Sequence, residues 1–470
     1  MKEIVFSNEK LMKIIYYGLL SMLLLFIILN EKLGNMDEIW NFSFAKNIHD
    51  GLIPYKDFNL ISTPFSCYLN SIILNIDSSL LFFRIIYFIY YLIILYLLDN
   101  ILDKLEIKPI LKYLIIFLSV LILIKSCYLD YNFIQIILLL LLINFHLKNQ
   151  DYQNNILNII IPLISGLTII NKQSSGLIIA LVNILLILLK KIYFKKNISL
   201  KFIIKQIIIS LIPTIIFTIY LVITKSYIEF YDLAIIGLTA FTNKYISTTI
   251  LLGIIIIYLT ISLETYINKR KLELWILFLY SLASLSFIIP ILDKVHAAFS
   301  LIIPFILLIY VIDNKLKNIN ISNLYTYIIF PIFIFIIVTN INSYIASTKI
   351  SNGIYKYIPT SITQQNVINS MSNYIITTSK DYDVYILDIS ASLFDLNINK
   401  YNKYFDMFMN GNFGINGEKE IYSIIDSNNK VFLINDASNH WQSPSNIISY
   451  VKEKYHICGS INYLTVYCKD

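Results

Sequence analysis

About eleven apolar runs, each close to the length needed to cross roughly 30 Å of hydrocarbon, constrain this chain more than any other feature. They lie near residues 11–29, 79–98, 110–126, 131–147, 156–171, 175–190, 203–224, 247–264, 273–291, 297–312 and 324–341. A further apolar stretch, Phe65 to Ile76, reaches only roughly 18 Å as a helix and is expected to lie in the interface. Of 470 residues, 57% are hydrophobic and 14% charged, whereas a soluble domain has about a quarter of its residues charged. The chain is therefore a polytopic membrane protein. Lys2, Lys10 and Lys13 precede the first run, and no small-residue cleavage site follows it, so it is expected to remain as a helix.

Charge bias orients the helices. With the N-terminus inside and 65–76 not crossing, the loops rich in Lys and Arg all fall in the cytoplasm. They carry Lys104 and Lys108, Lys148, the set Lys191, Lys195, Lys196 and Lys201, the set Lys269, Arg270 and Lys271, and Lys315 with Lys317. Counting 65–76 as a crossing would throw every one of them outside. The net charge of +7 is thus accounted for by membrane orientation and implies no nucleic-acid partner.

The outer face then gathers the long loop 30–78, the turn around Asp130, the turn Asn171-Lys172-Gln173, the segment 225–246 and the turn Asp293-Lys294-Val295-His296. Segment 225–246 has Phe230, Leu233, Ile236, Leu238 and Phe241 at roughly helical spacing, which suits a second interfacial helix. Residues 1–342 are expected to form the membrane domain. Residues 343–470 are polar enough to be a small extracytoplasmic α/β domain, with strands at Val384–Ile389 and Val431–Ile434, a strand or hairpin at Ile457–Tyr467, and a helix opened by Ser443 as N-cap. Cys458 and Cys468 suit either a disulfide in an oxidising compartment or two separate thiols. No C-x-x-C pair and no phosphate-loop motif occurs, and Gly411-x-x-Gly414-x-x-Gly417 does not join a strand to a helix as a dinucleotide fingerprint requires.

The outer ionisable groups carry the chemistry. Asp37 and Glu38 directly follow the first helix, where partial desolvation raises a carboxylate toward the basicity of a general base; both equally suit the first turn of a helix over 38–50. Lys172, between two apolar helices, suits a phosphate contact or a cation snorkelling to the interface. Asp293-x-x-His296 suits either a divalent-cation site shared with Asp130 or Glu38, or a solvated turn with a helix cap. Arg84, near the outer start of the second span, suits a lipid phosphate or an interfacial anchor. His49, His146, His440 and His456 have no convergent partners in sequence.

The acidic pair after the first helix, the Gly51-x-x-Pro54-Tyr55-x-Asp57 stretch and the short apolar helix beyond it resemble the GT-C superfamily of membrane glycosyltransferases. The nearest pattern is glycosyltransferase family 39 and its bacterial cousins, among them protein O-mannosyltransferases and the aminoarabinose transferase of lipid A. The likeness extends over most of residues 1–310 in layout and reaches motif level at 37–64, 128–132, 166–176 and 293–296. It implies an all-α polytopic membrane domain with a small outer α/β domain, acting on a polyprenyl-phosphate-linked sugar and an extracytoplasmic acceptor. It also implies that Asp37 serves the reaction and that Asp130 is the second outer acid. On that basis Asp37, Glu38 and Asp130 are the expected catalytic set. Lys172, Gln173, Lys56, Arg84 and Lys294 are expected around the donor phosphate, and Tyr55, Asp57 and Asn132 around the sugar or acceptor. The resemblance leaves the need for a divalent cation open, and Asp293 and His296 are the residues expected to hold one. Two rival classes remain. A transporter or flippase would favour paired halves with broken helices, yet Gly and Pro number only 12 and 10 and no internal repeat is evident. A membrane anchor for the outer domain would need one helix, not about eleven.

Overall fold

The computed structural model describes residues 2–126, 130–240, 248–267, 271–289, 291–315, 348–437 and 442–469. Ten of the expected spans coincide with helices: α1 (Lys2–Asn30), α4 (Leu80–Lys104), α5 (Pro109–Ser126), α6 (Asn132–Lys148), α7 (Leu157–Asn171), α8 (Gln173–Ile192), α9 (Leu200–Ile223), α12 (Thr248–Ile267), α13 (Leu272–Ser284) and α14 (Lys294–Lys315). The run at 324–341 lies outside the described residues, as do Lys269, Arg270, Lys317, Phe241, Cys127, His440, and Tyr128 and Leu129 of the 128–132 motif. Among the described residues, six helices are long and apolar enough to cross a membrane on length and composition alone, and the remaining apolar helices are shorter. The chain is a multi-pass membrane protein.

The elements between the long helices follow local rules. Asn35 caps α2 (Met36–His49), its Oδ1 accepting from the Asp37 N–H at 3.1 Å and the Glu38 N–H at 3.4 Å. The short run forms α3 (Phe65–Leu74), about 15 Å long, which does not span. The second outer segment is not one regular helix. It comprises α10 (Tyr227–Phe230), a π-helical stretch Tyr231–Gly237 and α11 (Leu238–Ala240).

Helices α7, α8 and α9 pack closely, as do α4 on α6 and α13 on α14. Small residues set these distances. A Cβ at Gly166 would stand 2.1 Å from the Ser210 carbonyl of α9, and one at Gly176 would stand 2.0 Å from the Thr168 carbonyl of α7. Without a hydrophobic force between helices in lipid, such backbone approach is how they associate.

Beyond the bundle lie β1 (Thr348–Lys349) and β2 (Pro359–Thr360), α15 (Ile362–Thr378), β3 (Asp383–Leu387), α16 (Ala391–Asp395), α17 (Gly414–Asp426), β4 (Lys430–Ile434), α18 (Ser445–Lys454), β5 (His456–Ile461) and β6 (Leu464–Cys468). The sheet order is β3-β4-β6-β5, with β3 and β4 parallel and the other pairs antiparallel. The stretch 457–467 is thus a hairpin, and Cys458 and Cys468 form a disulfide across it at the β5 irregularity. Ser443 is not the cap of α18; Pro444 holds that position and no side chain caps it. Apolar packing is continuous from the bundle into this region, where Val384, Ile386 and Leu393 join the same core as Leu24 and Phe83. Further ties are Leu33 N–H to the Pro359 carbonyl (2.9 Å), Leu80 N–H to the Ile354 carbonyl (3.1 Å) and Asn59 Nδ2 to the Asn412 carbonyl (2.6 Å).

Candidate active site

Four helix ends meet on one face. The first is the start of α2. Asp37 stands in its first turn, half-buried, and its carboxylate oxygens take no hydrogen bond among the described residues. Its neighbour Glu38, one residue and about 100° further round the helix, points the other way.

The second is the entry to α6. Asp130 is buried and accepts from Asn132 twice, from the backbone N–H at 2.8 Å and from Nδ2 at 2.6 Å. The third is the break between α7 and α8, where Lys172 alone adopts an extended conformation, φ −147° and ψ 103°. That single residue interrupts two apolar helices and turns its ammonium inward. Lys172 is 4% exposed and donates to Asn132 Oδ1 and to the Phe287 carbonyl, each at 3.2 Å. The rings of Tyr131 and Phe287 lie 5.6 and 5.5 Å from the ammonium. The Asn132 amide therefore joins acid to cation. The fourth is the turn before α14, where Asp293 accepts from the His296 backbone N–H and meets its Nδ1, both at 2.8 Å.

These charges feel one another. Burial, reinforced by the charge of Asp293, lifts the Asp37 carboxyl to about 6. Burial and then the charge of Asp37 raise Asp130 above the usual carboxylate range, and burial lowers Lys172 against the opposing pull of Asp130 and Asp293. Burial also acts upward on Asp293, but hydrogen bonds from His296 and the backbone outweigh it and hold that carboxyl low.

Other expected site residues are engaged elsewhere. Arg84 is fully buried and forks onto Glu38, with Nε to Oε1 at 2.6 Å and the other arm to Oε2 at 2.8 Å. Its remaining nitrogen donates to the Glu31 and Ile28 carbonyls at the end of α1. Glu38 and Arg84 are thus a buried ion pair pinning α4 to the α1–α2 junction. Gln173 is likewise committed, donating to the Ile61 and Ala234 carbonyls at 3.0 Å each and accepting from the Thr63 N–H at 3.2 Å. It staples the outer loop and the π-helical segment to the start of α8. Tyr55 is fully buried at φ 70°, its hydroxyl donating to the Ser62 carbonyl at 2.7 Å and its ring edge-on to Phe230. Asp57 accepts from the Ile53 N–H at 2.8 Å and closes the same turn. Both shape the loop. Asn132 is spent on Asp130 and Lys172. Lys56 and Lys294 are exposed. Among the described residues, no three His, Cys, Asp or Glu side chains are grouped to hold a metal ion, and Asp293 and His296 bind each other.

The sequence did not single out the braces behind Lys172. Asn171 donates to Gln135 Oε1 at 2.8 Å and to the Tyr131 carbonyl at 3.1 Å, and Gln135 donates to Ser175 Oγ at 3.1 Å. Asn171 and Ser175 lay within the 166–176 motif without a role, and the signal for Gln135 was an amide inside an otherwise apolar run.

This helical bundle, with its helix-end acids and its C-terminal α/β region, shares its overall fold with solved structures over nearly its whole length. No family model matches the chain, and no curated protein matches it in sequence. Among solved structures, it is similar to ArnT from Cupriavidus metallidurans in the apo state, with TM-score 0.56 and 8% identity over 98% of each chain. It is also similar to the same protein bound to undecaprenyl phosphate, with TM-score 0.58 and 9% identity over 97% of each chain.

Proposed function

We propose that the chain is a membrane glycosyltransferase that moves a sugar from a polyprenyl-phosphate carrier to a hydroxyl of an extracytoplasmic acceptor, with inversion. Asp37 is the general base. It accepts the acceptor's proton as that oxygen bonds to the anomeric carbon, while the bond from that carbon to the phosphate oxygen breaks and the polyprenyl phosphate departs. Lys172 has two of its three N–H groups engaged, leaving one for the departing phosphate, with Lys56 and Lys294 as outlying cations. A single displacement puts base and leaving group on opposite faces of the sugar, hence inversion. The undecaprenyl phosphate held by ArnT in the same fold supports this class of carrier. The positive-inside bias and the Cys458–Cys468 disulfide favour an extracytoplasmic position for residues 343–470.

One observation carries the reading: an unpaired, half-buried carboxylate at Asp37 stands among Asp130, Asp293 and Lys172. In a transfer assay with a polyprenyl-phosphate sugar, Asp37→Asn lowers kcat about 10²–10⁴-fold with expression unchanged. Wild-type turnover in that variant removes Asp37 from the chemistry.

A further inference from the structure

At the bundle end opposite Asp37, five polar atoms converge without hydrogen-bond partners: Lys190 Nζ, Asn183 Nδ2, His146 Nδ1 and the hydroxyls of Tyr152 and Tyr280. His146, Asn183, Lys190 and Tyr280 are 0% exposed, and none of the five atoms reaches solvent. Their closeness is measured directly. His146 Nε2 meets Asn183 Oδ1 at 2.8 Å, the His146 ring lies 5.8 Å from that of Tyr280 and 6.5 Å from that of Tyr152, and the Lys190 ammonium lies 4.3 Å from the Tyr152 ring centre. Lys190 follows Asn183 by two turns of α8, and helical side chains lean toward the N-terminus, so its ammonium reaches back toward that amide.

Buried polar groups in native proteins almost always have partners, and a cluster without them marks a water or an ion. A buried ammonium also needs a counter-charge. The one carboxylate that acts on it, Asp151, does so at longer range and pairs with Lys196 at 2.5 Å, so no carboxylate among the described residues forms an ion pair with Lys190. The inventory of hydrogens decides between water and ion. With Nε2 donating to Asn183, the neutral His146 ring leaves an acceptor at Nδ1. Against it stand the ammonium, the Asn183 amide and two phenols as donors. A water there would have more donors facing it than it can accept from, whereas an anion accepts from all of them.

We propose that this chamber binds a small free anion of the halide class between Lys190, Asn183 and the two tyrosines. It neutralises Lys190 and ties α6, α8, α13 and the turn carrying Tyr152 together. A lipid phosphate does not fit, since none of the five atoms reaches the surface and only a small untethered anion reaches them through local opening of the bundle.

The test uses the full-length protein in detergent, with chloride replaced stepwise by gluconate at constant ionic strength. The wild-type Tm rises by about 2 °C for each tenfold increase in chloride until saturation, and bromide substitutes for chloride. Bromide-grown crystals show an anomalous peak within hydrogen-bond reach of Lys190 Nζ and Asn183 Nδ2. Lys190→Met loses the chloride dependence. Should that variant fail to fold, Asn183→Asp supplies a built-in counter-charge and loses the dependence while keeping its Tm. A wild-type Tm indifferent to chloride, or crystals with no anomalous peak in the chamber, overturns the proposal.

Discussion

Asp37 and Glu38 are adjacent in the chain and carry the same functional group, yet their surroundings give them opposite fates. Glu38 is locked onto Arg84, while Asp37 keeps a free carboxylate raised to about 6 from an ordinary 3.8. A raised acid binds its proton more tightly in the fold than in the unfolded chain, so its protonated form favours folding. Stability therefore falls as pH rises from about 4 to about 6, and the base becomes available over the same window. The expected kcat/KM profile has an acidic limb near pH 6 that moves lower in Asp293→Asn, because the neighbouring negative charge is gone. A limb unmoved in that variant assigns it to another group. Glu38→Gln leaves the Arg84 guanidinium buried and uncompensated, at a cost of about 3–5 kcal/mol, and thermal unfolding reads the loss. Glu38→Met with Arg84→Met recovers most of it. That an acid sits at this outer edge was legible in the sequence. Which of the two faces the site was not, because the choice depends on Arg84, 46 residues away.

At the scale of elements, the break at Lys172 sets the site. One extended residue between α7 and α8 suffices because Gly176 lets the first turn of α8 press against the Thr168 carbonyl. Gly176→Ala places a methyl group where backbone already stands, an overpacking expected to cost about 1–3 kcal/mol. It displaces Lys172 and Gln173 together, so transfer activity falls along with Tm; a variant with normal Tm and full activity contradicts this role for the glycine. The lengths of the apolar runs were enough to locate ten helices, since hydrocarbon thickness fixes how long such a run must be. They were not enough to find α15 and α17, which are too polar to read as apolar runs, nor to see that segment 225–246 contains a π-helical stretch.

Across the whole molecule, the C-terminal α/β region and the bundle are clasped through the π-helical segment. Asp232 accepts from the Ile415 N–H at 2.9 Å and the Asn416 N–H at 3.0 Å in the first turn of α17, while Gln173 binds the carbonyl of Ala234. Gly414 fits this contact, with φ 64° and room for no Cβ beside the Asp232 carboxylate. The spaced glycines of 411–417 thus serve a docking contact. Separations of more than 180 residues put that contact beyond any local pattern.

The account stands on a lipid phosphate being held where Asp37, Asp130, Lys172 and Asp293 converge. Native mass spectrometry of the purified protein tests this most directly. A polyprenyl phosphate, free or sugar-linked, should accompany the wild type and Asp37→Asn, and Lys172→Met should retain it at least tenfold less. No such lipid on any of the three, or equal retention by Lys172→Met, would contradict the account.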